Sequence, residues 1–146
     1  MDDQKYFLAL KTAFASEFCF ALKAQNFHWN VEGSNFFQYH GLFEKIYDEV
    51  YGAIDDFAEN IRKSGSYTPA GLQKFSMLTT VADENDVPDA LTMTAELLAD
   101  SDKLAQLMGM VYKMAEGANE FGLANFLADR QDAFRKHSWM LRSTLK

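Results

Sequence analysis

The sequence predicts an all-α fold, a four-helix bundle with one long crossover, and three observations lead to this prediction. The 146 residues are 48% hydrophobic and 14% aromatic, which suffices for the core of one domain covering residues 1–146. Only two prolines occur, Pro69 and Pro88, so long helices need not be interrupted. Apolar residues recur at steps of three and four, the spacing that gives a helix one buried face.

The first predicted helix covers about residues 4–30. The face that we expect to be buried comprises Phe7, Leu10, Phe14, Phe18, Ala21 and Leu22. His28 falls on the same face by helical phase. After this helix, Gly33 suits a tight turn, and either Ser34 or Asn35 suits the N-cap of the next helix. So short a connection makes the second helix an antiparallel neighbour of the first.

The second predicted helix covers about residues 35–64, and Gly65 fits the C′ position that ends it. Its expected buried residues are Leu42, Phe43, Ile46, Val50, Ile54, Phe57 and Ile61. The connection that follows, residues 66–86, is long enough to run the length of a bundle. It contains a short predicted helix at residues 70–78.

Two more helices are predicted after this crossover. Asp86 is the expected N-cap of the third, with Pro88 near its first position, and Gly117 is expected to end it. Asn119 is the expected cap of the fourth, which runs to about residue 144. This order of elements is the ferritin-like arrangement of a four-helix bundle, with a short helix in the long crossover between helices 2 and 3.

Five candidate metal ligands lie in one stretch of the first two helices. They are His28, His40, Glu44, Asp55 and Glu59. Imidazole nitrogens and carboxylate oxygens together favour iron, manganese or zinc over calcium or magnesium. The four on the second helix lie within about 100° of one another on a helical wheel, beside the apolar face rather than in its middle. A further face is expected to be solvated and comprises Lys45, Glu49, Asp56, Asn60 and Lys63.

The rise of an α-helix separates these ligands too far for one metal ion to bind them all in one chain. His40 and Asp55 are about 22 Å apart along the helix, whereas a ligand lies within about 2.3 Å of its metal. His28 therefore joins His40 and Glu44 in one half-site. Asp55 and Glu59, one turn apart, form another. Two antiparallel copies related by a two-fold axis would join unlike half-sites, so the hypothesis is a homo-oligomer with metal sites at the subunit interface.

Charge and cysteine content limit the function classes further. A formal net charge of −7 argues against a general nucleic-acid binder and suits a protein that gathers cations. No apolar run approaches the roughly 18 residues of a membrane span, and the acidic residues 1–4 lack the order of a signal peptide. Cys19 is the only cysteine, so an intrachain disulfide is excluded and a cytoplasmic location is expected.

The residues around the candidate ligands carry a resemblance to a known family. They are Asn26-Phe27-His28-Trp29-Asn30-Val31, Gly33, Asn35-Phe36, His40, Phe43-Glu44, Tyr47, Asp55 and Ala58-Glu59. This set resembles the signature of Dps proteins, the DNA-protection-during-starvation branch of the ferritin-like superfamily. Residues 137–142 resemble the last helix of that family, and the resemblance covers about residues 5–143. It implies a hollow dodecamer built from two-fold dimers of four-helix subunits.

The resemblance also implies an activity at the five candidate ligands. It implies a ferroxidase that oxidises two Fe(II) at dimer interfaces, with hydrogen peroxide preferred over dioxygen, and stores ferric mineral in its cavity as protection against oxidative damage. Iron is the implied metal, with zinc or manganese as substitutes. Trp29 beside His28 is a candidate for absorbing a stray oxidising equivalent, with packing in the core or an interface as the alternative. Glu44 and Asn60 stand where well-known members carry Asp and Arg, respectively.

Three other readings are weighed against this one. A ferritin-type site inside one bundle needs Glu-x-x-His motifs, and no Glu here has His three residues later. His137 is therefore interpreted as a packing or helix-capping residue. A DNA-compacting protein would need basic tails, which residues 1–5 and 143–146 do not supply, so direct DNA binding is not expected. A cage that sequesters metal without oxidising it stays open.

Overall fold

The structure, a computed structural model, describes residues 2–146 and contains six helices and no β-strand within that range. Met1, part of the acidic start considered above, lies outside the described residues. The helices are α1 Asp3–Asn30, α2 Phe36–Gly52, α3 Ile54–Lys63, α4 Leu72–Leu78, α5 Ala90–Gly117 and α6 Phe121–Thr144. The all-α prediction is confirmed, with α4 as the short helix in the crossover. None of the described helices has a stretch long and apolar enough to span a lipid bilayer.

The bundle is built on α1, which packs against α2 and α5, while α5 packs against α6. One hydrophobic cluster runs through all of them, and its largest fully buried aromatic side chains are Phe20, Phe27, Phe43, Phe57 and Phe134. The short helix α4 lies on α1 through Phe75, whose ring is 4.6 Å from that of Phe18 and 5.9 Å from that of Phe14. One residue expected on the buried face of the first helix, Leu22, is exposed instead.

The second long helix is broken at Ala53 into α2 and α3. The Ala53 amide donates to the Val50 carbonyl at 3.1 Å, so the chain tightens there to an i→i−3 bond before the α-helical pattern resumes. Asp55 and Asp56 consequently lie in the first turn of a new helix, where the N-terminal end of the helix dipole favours negative charge.

The end of α3 has the predicted form. Gly65 has a φ of 104° and donates its amide to the Arg62 carbonyl at 3.0 Å, while Ser66 donates to Ile61 at 3.4 Å. This pair of bonds is the Schellman motif, which requires a left-handed residue at C′. The prediction that Gly65 occupies that position is confirmed.

The start of α5 differs from the prediction. Its N-cap is Asp89, whose carboxylate accepts the Thr92 amide at 2.8 Å, rather than Asp86. Pro88 therefore precedes the cap instead of lying inside the first turn. The helix begins at Ala90, and a cap side chain accepts the amide two or three residues after it. Asp89 lies at that distance from Thr92, whereas Asp86 does not.

The turn between α5 and α6 also differs. Asn119 has a φ of 62° and donates its amide to Glu116 at 3.0 Å, while Glu120 donates to Ala115 at 2.9 Å. These bonds make Asn119 the left-handed C′ residue that ends α5, not the cap of the next helix. Gly117, expected to end the helix, is its last helical residue.

The face predicted to be solvated on the second helix is partly wrong. Asn60 is buried, and its amide donates to the Asp56 carbonyl at 3.0 Å. Glu49 is exposed as predicted, although its carboxylate also contacts Arg130 and His137 on α6. A wheel drawn for a single helix does not show which neighbouring helix lies over each face.

Candidate metal centre

The candidate ligands form two groups on the α2–α3 helix. His40 and Glu44 lie one turn apart on α2, and His28 joins them from the last turn of α1. Asp55 and Glu59 lie one turn apart on α3. The helical rise places these groups about 22 Å apart, so we refer to them as the histidine half-site and the carboxylate half-site.

Two parallel imidazole rings form the centre of the histidine half-site. The centroids of His28 and His40 are 3.7 Å apart, with 16° between the ring planes. Nδ1 of each ring lies 2.7 Å from the backbone oxygen of the other residue. Because a carbonyl oxygen only accepts, each Nδ1 carries the proton and each Nε2 of the neutral rings keeps its lone pair. Both Nε2 atoms are therefore prepared as metal ligands.

The walls of the histidine half-site are aromatic. Phe36 stacks on His40 with centroids 4.7 Å apart, and Tyr47 meets His28 edge-on at 5.2 Å. The short connection that ends α1 at Val31 brings these side chains together. Only the outer edges of the stack remain open, because His28 is buried and His40 is half-buried.

The carboxylate of Glu44 borders the same half-site. Its Oε1 lies 3.7 Å from Nε2 of His28, and the side chain is otherwise exposed. Among residues 2–146, however, the only set of three or more candidate ligands whose ligand atoms all lie within 4.8 Å of one another is on α3. The histidine half-site is therefore an open, incomplete ligand set within one chain.

The carboxylate half-site contains one more residue than sequence reasoning assigned to it. Oxygen atoms of Asp55, Asp56 and Glu59 lie within 4.8 Å of one another, and all three side chains are exposed. A hydrogen bond with Asp55, together with the charge of that neighbour, raises the pKa of Glu59. Crowded negative charge of this kind favours a bound cation. The position of Asp56 directly after Asp55 is the sequence feature that indicates a third carboxylate. The helical wheel assigns Asp56 to the solvated face, so sequence reasoning does not include it among the candidate ligands.

A surface cavity of about 620 Å³ lies beside the carboxylate half-site. It is lined by Asp56, Glu59, Asn60, Arg62, Lys63 and Phe126. The positive charge of Lys63 partly offsets the rise in the pKa of Glu59, but the effect of the acidic neighbours is stronger. The half-site is thus open to solvent and flanked by cationic side chains, although Asn60 stands where the resemblance leads one to expect Arg.

Trp29 lies on the surface of the subunit, next to His28 in sequence. Its side chain is 60% exposed, so packing in the core of the same chain is excluded. Two predictions remain for this residue. It packs against another subunit, or it has a redox role beside the histidine half-site.

A separate group of charged side chains has three buried members, Glu17, Arg130 and His137, and reaches the surface at Glu49. Arg130 donates from Nε to Glu17 at 2.6 Å and from Nη1 to Glu49 at 2.6 Å, and Nε2 of His137 lies 2.8 Å from Glu49. We call these four residues the interior charge cluster. His137 is buried in the middle of α6, so the capping alternative for it is wrong and its role is an inward polar contact.

Burial and ion pairing divide the two carboxylates of the interior charge cluster. Complete burial raises the pKa of Glu17 to about 7, despite the opposing charge of Arg130. Burial also opposes ionisation of Glu49, but hydrogen bonds from His137 and Arg130 outweigh it and lower its pKa to about 2. Since a guanidinium occupies the space between the two carboxylates, the cation in this part of the bundle is supplied by the protein itself.

Comparison with known proteins gives consistent results for sequence and structure. Residues 8–146 match the family model described as the ferritin-like domain. The chain is 30% identical to the DNA protection during starvation protein of Helicobacter pylori, over 97% of this chain and 99% of that protein. It is 31% identical to an uncharacterised low temperature-induced protein of Nostoc, over 90% of this chain and 75% of that protein. The crystal structure of a Dps protein from Bacillus brevis superposes with a TM-score of 0.92 at 29% identity, covering 98% and 96% of the two chains.

Proposed function

Because this chain belongs to the Dps family of ferritin-like proteins, we propose that it is a ferroxidase that oxidises Fe(II) and stores the ferric product. The observation that carries the proposal is the division of the ligands into two incomplete half-sites, one formed by α1 and α2 and the other on α3. Each half-site offers too few ligands for a dinuclear centre, and the helical rise keeps them about 22 Å apart in one subunit. A second subunit in the antiparallel orientation supplies the missing half.

The ligand types suit iron oxidation. His28 and His40 present neutral Nε2 atoms, which bind Fe(II) well, and the carboxylates are hard donors that stabilise Fe(III) more than Fe(II). Two Fe(II) ions each lose one electron to hydrogen peroxide. The O–O bond breaks, two protons are taken up, and two water molecules form. Because both electrons arrive together, no hydroxyl radical is released.

The assembly that we propose is a hollow dodecamer made from two-fold dimers. Several large apolar side chains on the surface of the described chain are available for subunit contacts. Met77 on α4 is 79% exposed and Leu72 is 77% exposed, while Trp29 lies on the outer face of α1. A closed shell would give Fe(III) mineral an enclosed volume in which to deposit.

Hydrogen peroxide is the proposed oxidant, with dioxygen as the slower alternative. The test is to add Fe(II) anaerobically to the protein, then peroxide, and to follow Fe(III) absorbance in the wild type and in the double variant His28→Ala/His40→Ala. We expect oxidation that is faster than in protein-free buffer, and Fe(III) that stays soluble, with the wild type only. If the double variant oxidises iron equally fast, the protein is a passive container or its site lies elsewhere.

Direct DNA binding is not part of this proposal. The net charge of −7 on each subunit repels phosphate, and a dodecamer multiplies that repulsion. A gel-shift measurement at low salt with excess protein tests this statement, and a salt-sensitive shift would contradict it.

A further inference from the structure

Aromatic rings continue from the histidine half-site into the subunit. Tyr47 meets the ring of His28 at 5.2 Å, and Tyr51, one turn further along α2, lies 5.9 Å from Tyr47. The Tyr51 hydroxyl donates to Oε1 of Gln25 on α1 at 3.1 Å. Its ring also lies 6.0 Å from Phe18. The two tyrosines therefore connect the histidine half-site with the interior of the bundle.

The phenylalanines of this path differ chemically from the two tyrosines. A phenol gives up an electron together with its hydroxyl proton, whereas a phenyl ring has no such proton and is much harder to oxidise. The path continues from Phe18 through Phe75, Phe14 and Phe57 to Phe126. An oxidising equivalent that enters at Tyr47 therefore stops at Tyr47 or Tyr51.

The hydroxyl group of each tyrosine carries the proton that must accompany its electron. The hydrogen bond that Tyr51 donates to Gln25 fixes the position of that group at the inner residue.

The unlike half-sites make a second source of electrons useful. One offers two imidazoles and a carboxylate and the other offers a group of carboxylates, so their affinities for Fe(II) differ. At low iron, centres with a single Fe(II) are then populated. One Fe(II) supplies one electron, while reduction of hydrogen peroxide to water takes two.

We propose that Tyr47 and Tyr51 form an electron relay that supplies the second electron when a single Fe(II) occupies the centre. In this step Fe(II) and the Tyr47 phenol each give one electron to hydrogen peroxide. The O–O bond breaks, the phenol proton and one proton from solvent complete two waters, and Fe(III) and a neutral Tyr47 radical remain. Tyr51 then passes an electron to Tyr47, which takes up a proton from solvent, while Tyr51 releases its hydroxyl proton to solvent and becomes the radical. This relay rests on the proposed ferroxidase function.

The test is freeze-quench electron paramagnetic resonance on the assembled protein loaded with one Fe(II) per subunit and treated with hydrogen peroxide. Wild type is compared with Tyr47→Phe, Tyr51→Phe and the control Tyr67→Phe, whose ring is 80% exposed on the crossover. Each replacement keeps the ring and removes only the hydroxyl. Fe(III) formation and spin-trapped hydroxyl radical are measured in the same samples.

We expect a tyrosyl radical signal in the wild type and in Tyr67→Phe, and loss of that signal with more trapped hydroxyl radical in Tyr47→Phe. In Tyr51→Phe the signal should persist and decay more slowly, because the radical stays on Tyr47. Fe(III) formation without any tyrosyl signal in the wild type, or an unchanged signal in Tyr47→Phe, would overturn the relay alone. Fe(III) formation in the wild type that is no faster than in protein-free buffer would overturn the ferroxidase proposal and the relay together.

Discussion

His28 and His40 hold each other in place through their own backbones. Each Nδ1 donates to the carbonyl oxygen of the other residue at 2.7 Å, so both rings are oriented and both tautomers are set without any further side chain. The sequence predicts that the two residues are close, because the turn between their helices is short. It does not predict the reciprocal bonds, since backbone carbonyls leave no trace in a residue pattern.

Asp56 is the residue of the carboxylate half-site that the helical wheel assigned to solvent. We predict that Asp56→Asn weakens Fe(II) binding by about tenfold, because a neutral amide replaces one of three converging carboxylates. Anaerobic titration calorimetry with Fe(II) measures the effect. Asp48→Asn, an exposed aspartate on α2, is the matched control and should leave the affinity unchanged. Equal affinities for both variants would remove Asp56 from the site.

Glu17 gives the subunit a pH-dependent stability. Its pKa is raised from 4.5 to about 7 in the folded protein by complete burial. An acid with a raised folded pKa stabilises the folded state below the unfolded pKa, and this contribution is lost as pH rises through the folded pKa. The loss therefore falls between about pH 4.5 and 7.

Glu17→Gln removes this titration, because glutamine stays neutral at every pH. Relative to this variant, we predict that the wild type loses on the order of 3 kcal/mol of unfolding free energy between pH 4.5 and pH 7. Urea unfolding of both proteins across this range measures the difference. A difference that stays flat with pH would show that burial does not raise the pKa of Glu17 in the folded protein.

At the scale of elements, helices were easier to predict than their ends. Apolar residues at steps of three and four fix the existence of a helix, because burying one face of each helix dominates its stability. The start of α5 was misplaced because Asp86 and Asp89 are chemically equivalent cap residues. Only the hydrogen bond from Thr92 to Asp89 distinguishes them.

This distinction can be measured. We predict that Asp89→Ala lowers the unfolding free energy by about 1 kcal/mol, because the Thr92 amide loses its acceptor at the start of α5. Asp86→Ala, at the position that the sequence predicts as the cap, is the matched control and should change stability by less than about 0.5 kcal/mol. Denaturant unfolding under identical conditions gives both values. A larger loss for Asp86→Ala would identify Asp86 as the cap instead.

The sequence predicts one part of the candidate site and not another. The difference lies between spacing within a helix and packing between helices. Spacing alone predicts the two half-sites, since residues four apart share a helix face and the rise per residue separates distant pairs. The interior charge cluster was missed because Glu49 meets Arg130, 81 residues later in the chain. Pairing at that distance depends on which helix covers which face, and no local pattern contains that information.

At the scale of the whole molecule, the described chain has features that a single subunit leaves incomplete. Each half-site has part of a ligand set, and large apolar side chains such as Trp29 and Met77 lie on the surface. The incomplete half-sites are explained if two copies meet along their second helices, and the exposed Trp29 and Met77 are available for further subunit contacts. The active unit would then be the dimer rather than the folded chain.

Subunit mixing tests this directly. One variant, His28→Ala/His40→Ala, lacks the histidine half-site, and the other, Asp55→Ala/Glu59→Ala, lacks the carboxylate half-site. Each alone should be inactive. In a mixed dimer with a shared site, one interface centre combines two damaged halves and the other combines two intact halves.

We therefore predict that disassembling the two inactive variants, mixing them in equal amounts and reassembling them restores about one quarter of the wild-type rate of Fe(II) oxidation. Half of random pairs are mixed, and each mixed pair has one intact centre of two. Wild-type protein taken through the same procedure sets the reference, and each variant reassembled alone sets the background. A site made within one chain would stay inactive in every mixture, because neither chain has both halves.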